Sequence, residues 1–233
     1  MNLNLAHLAG STIAFDLDGT LVESAPDLVA TLNVLLAQEG IGPLPLSQAR
    51  DMIGQGARSL ISKGFEASGA EIAEPRLSVL FERFIAYYRE HIADESHVFP
   101  GVTDALDILE EAGAKLVVCT NKRTDLSVAL LDALDLSRRF AAIVGPDLAG
   151  ASKPDPRHLV FAIERAGGTA DRALMVGDSG ADAGAAEAAG VPVVLVSFGY
   201  TDVPAADLGA DALIDHFAEL PGAAYRLIGA RRE

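Results

Sequence analysis

The chain has 233 residues, of which half are hydrophobic, so it is long enough for one sizeable α/β core and a smaller attached domain. Its net charge of −15 argues against a nucleic-acid or anionic-membrane partner, because the phosphate groups of such partners are bound by basic surfaces. No apolar run reaches 18 residues, which argues against a membrane span, and the single cysteine excludes an internal disulfide framework.

Few other residue types suggest a function. The first basic residue is Arg50, so the sequence has no positively charged leader, and we expect a cytoplasmic protein. Cys119 closes an apolar run and is interpreted as a buried hydrophobic residue. The five histidines show no spacing typical of a metal site and are interpreted as surface or hinge residues: His7, His91, His97, His158 and His216.

Short β-branched runs that end in a polar residue predict five strands, and helical patterns separate most of them. Strands that alternate with helices indicate βαβ units and a parallel sheet. The runs are almost continuously apolar, as expected of strands that are covered on both faces. The predicted strands are 12–16, 115–120, 141–145, 173–178 and 191–197, and the helices between them include 123–134, 156–166 and 181–189.

The first two predicted strands are separated by about a hundred residues, whereas a βαβ crossover usually takes about 30. We therefore predict an insertion after Asp16 that spans residues 22–94, while residues 1–21 and 95–233 form the core. Two connections join the insertion to the core, and we expect them to act as hinges.

Helical patterns fill most of this insertion. Residues 25–38 place leucines on one face, a second helix runs through Leu60, and a third begins at Pro75. The insertion is therefore predicted to be an all-helical cap. At the far end of the chain, Arg231 and Arg232 predict a frayed helix end.

Polar side chains follow the predicted strands. In an open parallel sheet, ligands bind outside the carboxyl ends of the strands, where the strand order reverses. Carboxylates, a hydroxyl and an amine are therefore expected to converge on one crevice. These residues are Asp16 and Asp18 after the first strand, Thr120 and Asn121 after the second, Asp178 after the fourth, and Lys153 in the connection before that strand.

The first cluster of polar residues is Asp16-Leu17-Asp18-Gly19-Thr20. Asp16 and Asp18 are two residues apart, so they point to the same side at a strand end, and Gly19 allows a tight turn. Two adjacent carboxylates repel each other unless a cation or a shared proton intervenes. A turn built from side-chain caps is the structural alternative.

The last cluster begins at Asp178, which ends its predicted strand, and Asp182 lies one turn into the following helix. Both positions also suit helix capping, since acidic residues are favoured in the first turn. This segment alone therefore leaves a purely structural role open. Lys153 and Thr120 carry little information when each is considered alone.

Together and in this order, the four segments resemble the motifs of the haloacid dehalogenase superfamily, and the resemblance covers nearly the whole chain. It implies an α/β fold with a doubly wound, Rossmann-like parallel sheet core and a smaller inserted all-helical cap domain. It also implies Mg²⁺ as the cofactor and a small phosphorylated metabolite as the substrate. The matching residues are Asp16-Leu17-Asp18-Gly19-Thr20, Thr120, Lys153, and Gly177-Asp178-Ser179 with Asp182.

The resemblance assigns the chemistry to the two carboxylates of the first motif. Asp16 is implied to be the nucleophile that forms an aspartyl-phosphate. Asp18 is implied to protonate the leaving alkoxide and then to activate the hydrolytic water. Mg²⁺ is implied to be bound by Asp16, the main-chain carbonyl of Asp18, and Asp178.

The remaining motif residues are implied to bind and support the phosphoryl group. Thr120 and main-chain amides near Asn121 would bind its oxygens, and Lys153 would neutralise the charge that develops there. Asp182 is implied to position either Lys153 or a metal-bound water. The supporting residues are Gly19, Thr20, Ser179 and Asp182.

Residues 21–28, 53–57 and 198–200 are similar to the phosphoglycolate phosphatase branch of the superfamily. Asp18 favours a phosphate ester, whose leaving group needs a proton, over the substrates of the dehalogenases. Glu23 departs from the Asp that many relatives carry at that position. The resulting prediction is a phosphatase for 2-phosphoglycolate, acting as a monomer or a homodimer.

Three alternatives stay open. A sugar-phosphate phosphatase or a phosphomutase of the same superfamily would use the same motifs. A receiver-like signalling module that stores a phosphoryl group on Asp16 would belong to another class, although it needs neither the cap nor Asp18. A catalytically silent scaffold is disfavoured because every motif position is intact.

A substrate carboxylate would need a cationic or amide-rich partner, and the core motifs do not supply one. We therefore expect the cap to select the substrate. The turn at Gly54 and Gly56 opens a helix whose first amides are available, and Arg58 and Lys63 follow on that helix. These two are about 140° apart around the helix axis, so one of them is expected to face the crevice. Lys63 is preferred because related phosphatases often have a basic residue there.

Overall fold

A six-stranded parallel sheet lies at the centre of this computed structural model, which describes residues 5–201 and 203–229. Its six strands are β1 (Thr12–Phe15), β4 (Lys115–Cys119), β5 (Ala142–Val144), β6 (Ala173–Gly177), β7 (Val193–Val196) and β8 (Ala212–Ile214). Strands β2 (Val22–Glu23) and β3 (His97–Val98) form a separate two-stranded sheet. The order in the sheet is β5-β4-β1-β6-β7-β8. Strands β4 and β5 therefore lie on one side of β1, and the later strands β6, β7 and β8 lie on the other. The doubly wound α/β fold expected from the sequence is thereby confirmed.

Helices cover both faces of this sheet, as strands that are apolar on both sides require. The helices of the described residues are α1 (Ala25–Gln38), α2 (Leu46–Ala49), α3 (Ala57–Ala67), α4 (Arg76–Glu90), α5 (Val102–Glu111), α6 (Thr124–Ala133), α7 (Pro146–Ala149), α8 (Pro156–Arg165), α9 (Gly180–Ala189) and α10 (Leu220–Gly229), of which α1 to α4 lie apart from the sheet faces. Ile13 and Phe15 of β1 belong to a hydrophobic cluster shared with α5 and α10, whereas Ala14 belongs to a second cluster shared with α8 and α9.

The register of the central strands places the functional residues. Thr12 of β1 lies opposite Lys115 of β4 and opposite Ala173 of β6. Because the three strands are parallel and aligned, their carboxyl ends coincide at one edge of the sheet. The residues that follow these strands are therefore neighbours in space although they are far apart in the chain.

Helices α1 to α4 pack around a third hydrophobic cluster. This cluster includes Leu32 of α1, Phe65 of α3 and Phe84 of α4, and it extends to Leu126 and Tyr200 on the side of the sheet. Helices α1, α3 and α4 occur where the periodicity predicts them, and α1 has the predicted bounds, whereas the four-residue α2 was not predicted. That residues 22–94 form a separate domain stays a prediction.

The two connections between these helices and the sheet pair with each other. Val22 lies opposite Val98, and Glu23 lies opposite His97, in a two-stranded antiparallel sheet. The predicted all-helical segment begins at residue 22, whereas its first two residues are strand β2. A two-residue strand is too short for its alternation to be recognised in the sequence.

Two elements near the C-terminal end were not predicted. Strand β8 has three residues at the sheet edge and buries only Ile214, so its sequence lacks an extended apolar run. Helix α10 buries Leu220, Pro221, Ala223, Ala224 and Ile228, and beyond its frayed end it was not recognised in the sequence. The frayed end predicted at Arg231 and Arg232 lies outside the described residues.

Two side chains test the interpretation of isolated polar residues. Cys119 is buried as expected, and burial raises the pKa of its thiol to about 12. His158 is also buried, so its interpretation as a surface or hinge residue is wrong. Helix α8 packs against β5 and brings Nε2 of His158 within 3.1 Å of the carbonyl oxygen of Val144, to which it donates.

Among residues 5–201 and 203–229, no helix has the length and apolar character that a membrane crossing requires.

His158 makes folding sensitive to acid. Burial lowers its pKa from 6.5 to about 4, so between these pH values the unfolded chain binds a proton that the folded chain does not. The stability present above pH 6.5 is therefore lost as the pH falls toward 4. The variant His158→Gln keeps a donor for Val144. Between pH 7 and pH 4.5, the free energy of unfolding should fall by about 2 kcal/mol more in the native protein than in this variant.

The measurement is urea unfolding at the two pH values. His97→Gln, at an exposed position, is the matched control and should behave like the native protein. Equal losses for the native protein and His158→Gln would show that the neutral imidazole does not cause the effect.

Candidate active site

The carboxyl ends of β4, β1 and β6 bring together the side chains that follow them. Asp16 and Asp178 come directly after β1 and β6, and Thr120 follows β4. Lys153 reaches the same edge from the loop before α8. Each of these four residues is at most 4% exposed, so the cluster is withdrawn from bulk water.

Asp16 uses only one of its carboxylate oxygens for contacts within the protein. Oδ1 accepts a 2.7 Å hydrogen bond from the main-chain N–H of Leu17 and lies 3.0 Å from Nζ of Lys153. Oδ2 accepts no hydrogen bond from the residues that the structure describes. Burial raises the pKa of Asp16 to about 6, although Lys153 opposes the shift.

Asp182 anchors Lys153. Nζ of Lys153 donates to Oδ1 of Asp182 at 2.6 Å, while Oδ2 accepts from the main-chain N–H groups of Asp178 and Ser179 and from the hydroxyl of Ser179. Burial lowers the pKa of Lys153, but the carboxylates of Asp16 and Asp182 raise it more, so the lysine stays charged. Asp182 therefore caps α9 and positions Lys153 at the same time.

Two donors orient the carboxylate of Asp178. The hydroxyl of Thr20 donates to Oδ1 at 3.1 Å, and the main-chain N–H of Tyr200 donates to Oδ2 at 2.6 Å. Two glycines allow this close approach. Gly19 has a φ of +86°, which favours glycine, and a Cβ atom on Gly199 would lie 2.1 Å from Cβ of Asp178.

Three buried carboxylates repel one another at this edge. Oxygens of Asp16, Asp178 and Asp182 lie within 4.8 Å of one another, and burial and the two neighbouring carboxylates raise the pKa of Asp178 well above its ordinary value. An oxygen-only donor set of this kind fits a hard divalent cation such as Mg²⁺. Asp182 accepts four hydrogen bonds, one of them from the ammonium group of Lys153, whereas Asp178 accepts two, so Asp16 and Asp178 are the better candidate ligands. The main-chain carbonyl of Asp18 accepts no hydrogen bond from the described residues and offers a third oxygen.

The side chain of Asp18 lies in a separate environment. Its two oxygens are 2.9 and 3.0 Å from Nζ of Lys122, and Oδ1 accepts a 2.5 Å hydrogen bond from the hydroxyl of Ser24. This carboxylate is not part of the acidic cluster, so only the main chain of Asp18 is placed to contribute to the metal site. The two acidic residues of the first motif thus have different cationic partners, Lys153 for Asp16 and Lys122 for Asp18.

Lys122 belongs to the site without having been predicted. Only 6% of its side chain is exposed, and its Nζ lies 4.6 Å from the centre of the Tyr88 ring. Its one signal in the sequence is its position two residues after Thr120. A lysine in a loop after a strand is too common for that signal to have been sufficient.

Tyr200 connects the acidic cluster to the beginning of α1. Its hydroxyl donates to Oε1 of Glu23 at 2.5 Å and accepts from the main-chain N–H groups of Ser24 and Ala25. Arg50 pairs with Oε2 of Glu23 at 2.8 Å and lies over the Tyr200 ring. In the sequence, residues 198–200 indicated only a similarity to one branch of a family, and no role was predicted for Tyr200.

A cavity of about 210 Å³ opens beside Asp16 and Asp18, between the sheet edge and helices α1, α3 and α4. Its charged lining consists of three cations, Arg58, Lys122 and Arg123, against those two carboxylates. An excess of cations in a chain of net charge −15 favours an anionic ligand. Much of the remaining wall is apolar and includes Leu28, Leu60, Phe81, Phe84, Ile85 and Leu126.

The two basic cap residues lie in different places. Arg58 lines the cavity, whereas Lys63 is not among its lining residues in the described part of the chain. The structure thus places Arg58 on the wall of the crevice in place of Lys63, the residue preferred from the sequence, since about 140° separates them on α3. Arg58 pairs with Glu74 at 2.7 Å, and 48% of its side chain is exposed.

Asn121 joins the cap turn to the core. Its amide nitrogen donates to the main-chain oxygens of Gly54 and Lys153, both at 3.1 Å, and its Oδ1 accepts from the N–H of Lys153 at 2.9 Å. Gly54 and Gly56 both line the cavity. These bonds occupy the side chain of Asn121. A contact between this residue and a phosphoryl group would therefore come from its main chain.

Comparisons with known proteins cover most of the chain. Residues 13–196 match the family model described as haloacid dehalogenase-like hydrolase. The chain is 55% identical to the phosphoglycolate phosphatase of Caulobacter vibrioides, over 96% of this chain and 94% of that protein. It is 46% identical to the phosphoglycolate phosphatase of Agrobacterium fabrum, over 91% of this chain and 91% of that protein. The crystal structure of a predicted phosphoglycolate phosphatase from Haemophilus somnus 129pt has a TM-score of 0.85 at 30% identity, covering 91% of this chain and 97% of that chain.

Replacing Gly199 with alanine is expected to displace the carboxylate of Asp178, because the added Cβ atom would lie 2.1 Å from Cβ and 2.4 Å from Oδ2 of that residue. We expect the free energy of unfolding to fall by about 1–3 kcal/mol and the affinity for Mg²⁺ to fall at least about tenfold. Urea unfolding and calorimetric titration with Mg²⁺ measure the two effects.

Gly180→Ala is the matched control. This glycine lies two residues after Asp178, and its added Cβ atom would meet Leu208 at 3.6 Å, an ordinary contact. Stability and Mg²⁺ affinity should both be retained. Unchanged Mg²⁺ affinity in Gly199→Ala would mean that Asp178 is not a ligand held by this close packing.

Proposed function

The chain belongs to the haloacid dehalogenase-like hydrolase family, and we propose that it is a Mg²⁺-dependent phosphatase that hydrolyses 2-phosphoglycolate through an aspartyl-phosphate on Asp16. The enzyme is a phosphoric monoester hydrolase. The observation that carries the proposed mechanism is the pair of carboxylates at one cavity, Asp16 beside Lys153 and Asp18 beside Lys122. The names of the two relatives support the choice of substrate.

The first step is assigned to Asp16. Its Oδ2, which accepts no hydrogen bond from the described residues, attacks phosphorus while the bond from phosphorus to the ester oxygen breaks. Lys153, 3.0 Å from Oδ1, offsets the negative charge on the phosphoryl oxygens. The hydroxyl oxygen of Thr120 accepts a hydrogen bond from the N–H of Lys122, so its own proton is available for a phosphoryl oxygen.

Asp18 moves protons in both steps. In the first step it gives a proton to the leaving alkoxide. In the second it takes a proton from water, which attacks the phosphorus of the aspartyl-phosphate, releases inorganic phosphate and regenerates Asp16. Lys122 and Ser24 hold its carboxylate apart from the acidic cluster, so the acid–base group is separate from the nucleophile.

Asp16, Asp178 and the main-chain carbonyl of Asp18 would hold Mg²⁺. When bound, Mg²⁺ offsets the repulsion between these carboxylates and the dianionic ester. Asp182 holds the ammonium group of Lys153 at 2.6 Å, on the Oδ1 side of Asp16. A cytoplasmic location and a monomeric or homodimeric state stay predictions.

Asp16→Asn replaces the nucleophile with an amide of nearly the same shape. Hydrolysis of 2-phosphoglycolate should fall by at least about 10³-fold, because the amide does not form the covalent intermediate. Phosphate release with Mg²⁺ present measures turnover, and acid quenching with labelled substrate should place the label on the peptide that contains Asp16. Substantial turnover by the variant, with its unfolding curve unchanged, would refute the assignment.

Asp18→Asn is the companion variant. Because p-nitrophenolate leaves without a proton, activity on p-nitrophenyl phosphate should fall less than activity on an alkyl phosphate. Equal losses on both esters would argue against the acid role of Asp18.

Removal of the metal tests the acidic cluster as a whole. Excess chelator should abolish hydrolysis, and Mg²⁺ should restore it. Ca²⁺ should substitute poorly, since it prefers more ligands at longer distances than Mg²⁺ does. Full turnover in excess chelator, measured as phosphate release, would contradict the metal dependence.

A further inference from the structure

The hydroxyl of Tyr88 is buried at the cavity, with Lys122 beside it. The residue lies on α4, is 0% exposed and lines the cavity, and apart from the neighbouring ammonium group of Lys122 its hydroxyl has no hydrogen-bond partner among the residues that the structure describes. Burial raises the pKa of this hydroxyl to about 12, although Lys122 opposes the shift, so it keeps its proton and can donate. Buried polar groups are rarely left unsatisfied, which points to a ligand group at this position.

Lys122 lies against the ring of Tyr88. Its Nζ is 4.6 Å from the ring centre and 2.9 and 3.0 Å from the two oxygens of Asp18. An ammonium group has three donors, and Asp18 is the one carboxylate that contacts it within the described chain. Lys122 and Tyr88 together form a buried cationic corner beside Asp18, which we call the Lys122–Tyr88 corner.

The size of the proposed substrate decides where its carboxylate can lie. A general acid must come within about 2.6–3.2 Å of the oxygen that it protonates, so the ester oxygen lies beside Asp18. In 2-phosphoglycolate the carboxylate carbon is two bonds from that oxygen, roughly 2.4 Å away. The carboxylate is therefore within about 6 Å of Asp18, the zone that contains Nζ of Lys122.

The other cations of the cavity are less suitable. Arg58 is paired with Glu74 at 2.7 Å, and Arg123 is paired with Asp125 at 3.0 Å. The side chains of the two arginines are 48% and 43% exposed, so water screens their charges. A carboxylate placed against the apolar wall formed by α1, α3 and α4 would be desolvated without a partner.

We infer that the Lys122–Tyr88 corner binds the carboxylate of the substrate: Nζ of Lys122 pairs with it while staying bonded to Asp18, and the hydroxyl of Tyr88 donates to it. This inference rests on the proposed function and deepens it. It assigns the substrate class as phosphate esters of short 2-hydroxy acids, in which the carboxylate is two bonds from the ester oxygen. It also moves the selecting cation from Lys63 on the cap to Lys122 on the core.

The test compares 2-phosphoglycolate with ethyl phosphate, which has the same number of carbons and no carboxylate. The ratio of kcat/KM for the two esters, measured with Mg²⁺ present, cancels effects on the phosphoryl steps that both share. Lys122→Met should lower this ratio by about 10- to 100-fold, and Tyr88→Phe by about 3- to 10-fold. Lys122→Arg, which keeps the charge, should recover part of the loss. Lys63→Ala is the matched control and should leave the ratio unchanged.

The outcomes separate this inference from the function on which it rests. A native enzyme that hydrolyses 2-phosphoglycolate no faster than ethyl phosphate would refute the substrate assignment. A native enzyme that prefers 2-phosphoglycolate, with the ratio unchanged in Lys122→Met and Tyr88→Phe, would refute only the Lys122–Tyr88 corner. A ratio lowered by Lys63→Ala alone would return selection to the cap. Tyr88→Phe removes only a hydroxyl whose one polar neighbour among the described residues is Lys122, so it should fold normally and keeps the test valid if Lys122→Met does not fold.

Discussion

Three buried carboxylates repel one another at the carboxyl edge of the central strands, and the arrangement of the site follows from that repulsion. The aligned carboxyl ends of the parallel strands place Asp16 and Asp178 side by side, and Asp182 follows one turn later, with oxygens within 4.8 Å of one another. Lys153 contacts both Asp16 and Asp182. Loss of one partner of such a buried pair typically costs about 3–5 kcal/mol. One lysine balances only part of the negative charge, so the cluster is suited to a divalent cation and then to a phosphoryl group.

Neighbouring contacts give the two acidic residues of the first motif different chemistry. Asp16 lies in the carboxylate cluster with a free oxygen, while Asp18 is turned toward Lys122 and the hydroxyl of Ser24. Ser24 immediately precedes α1, so Asp18 is bonded to the segment where helices α1 to α4 begin. Tyr200 bonds to that same segment and to Asp178. The position of helices α1 to α4 is therefore linked to both carboxylate environments through hydrogen bonds.

The fold was largely predictable from local patterns. Apolar runs of strand length and helical periodicity are properties of short segments, which is why α1 has the predicted bounds and the five main strands lie where the sequence places them, with strand bounds shifted by one or two residues. Shorter elements escaped prediction. The two-residue strands at Val22 and Val98 and the edge strand that ends at Ile214 are held by pairing with distant segments and not by a pattern of their own.

Local sequence is sufficient to identify the polar residues at the strand ends, since Asp16, Thr120 and Asp178 each follow an apolar run that predicts a strand. The partner of each charge, in contrast, follows from the packing of distant elements. Lys122 contacts Asp18 although 104 positions separate them in the chain. Helical spacing indicated that one of Arg58 and Lys63 faces the cavity, and packing places Arg58 there. Pairing of this kind depends on how whole elements pack and turn against one another, and local periodicity carries no information about the distance between side chains on separate elements.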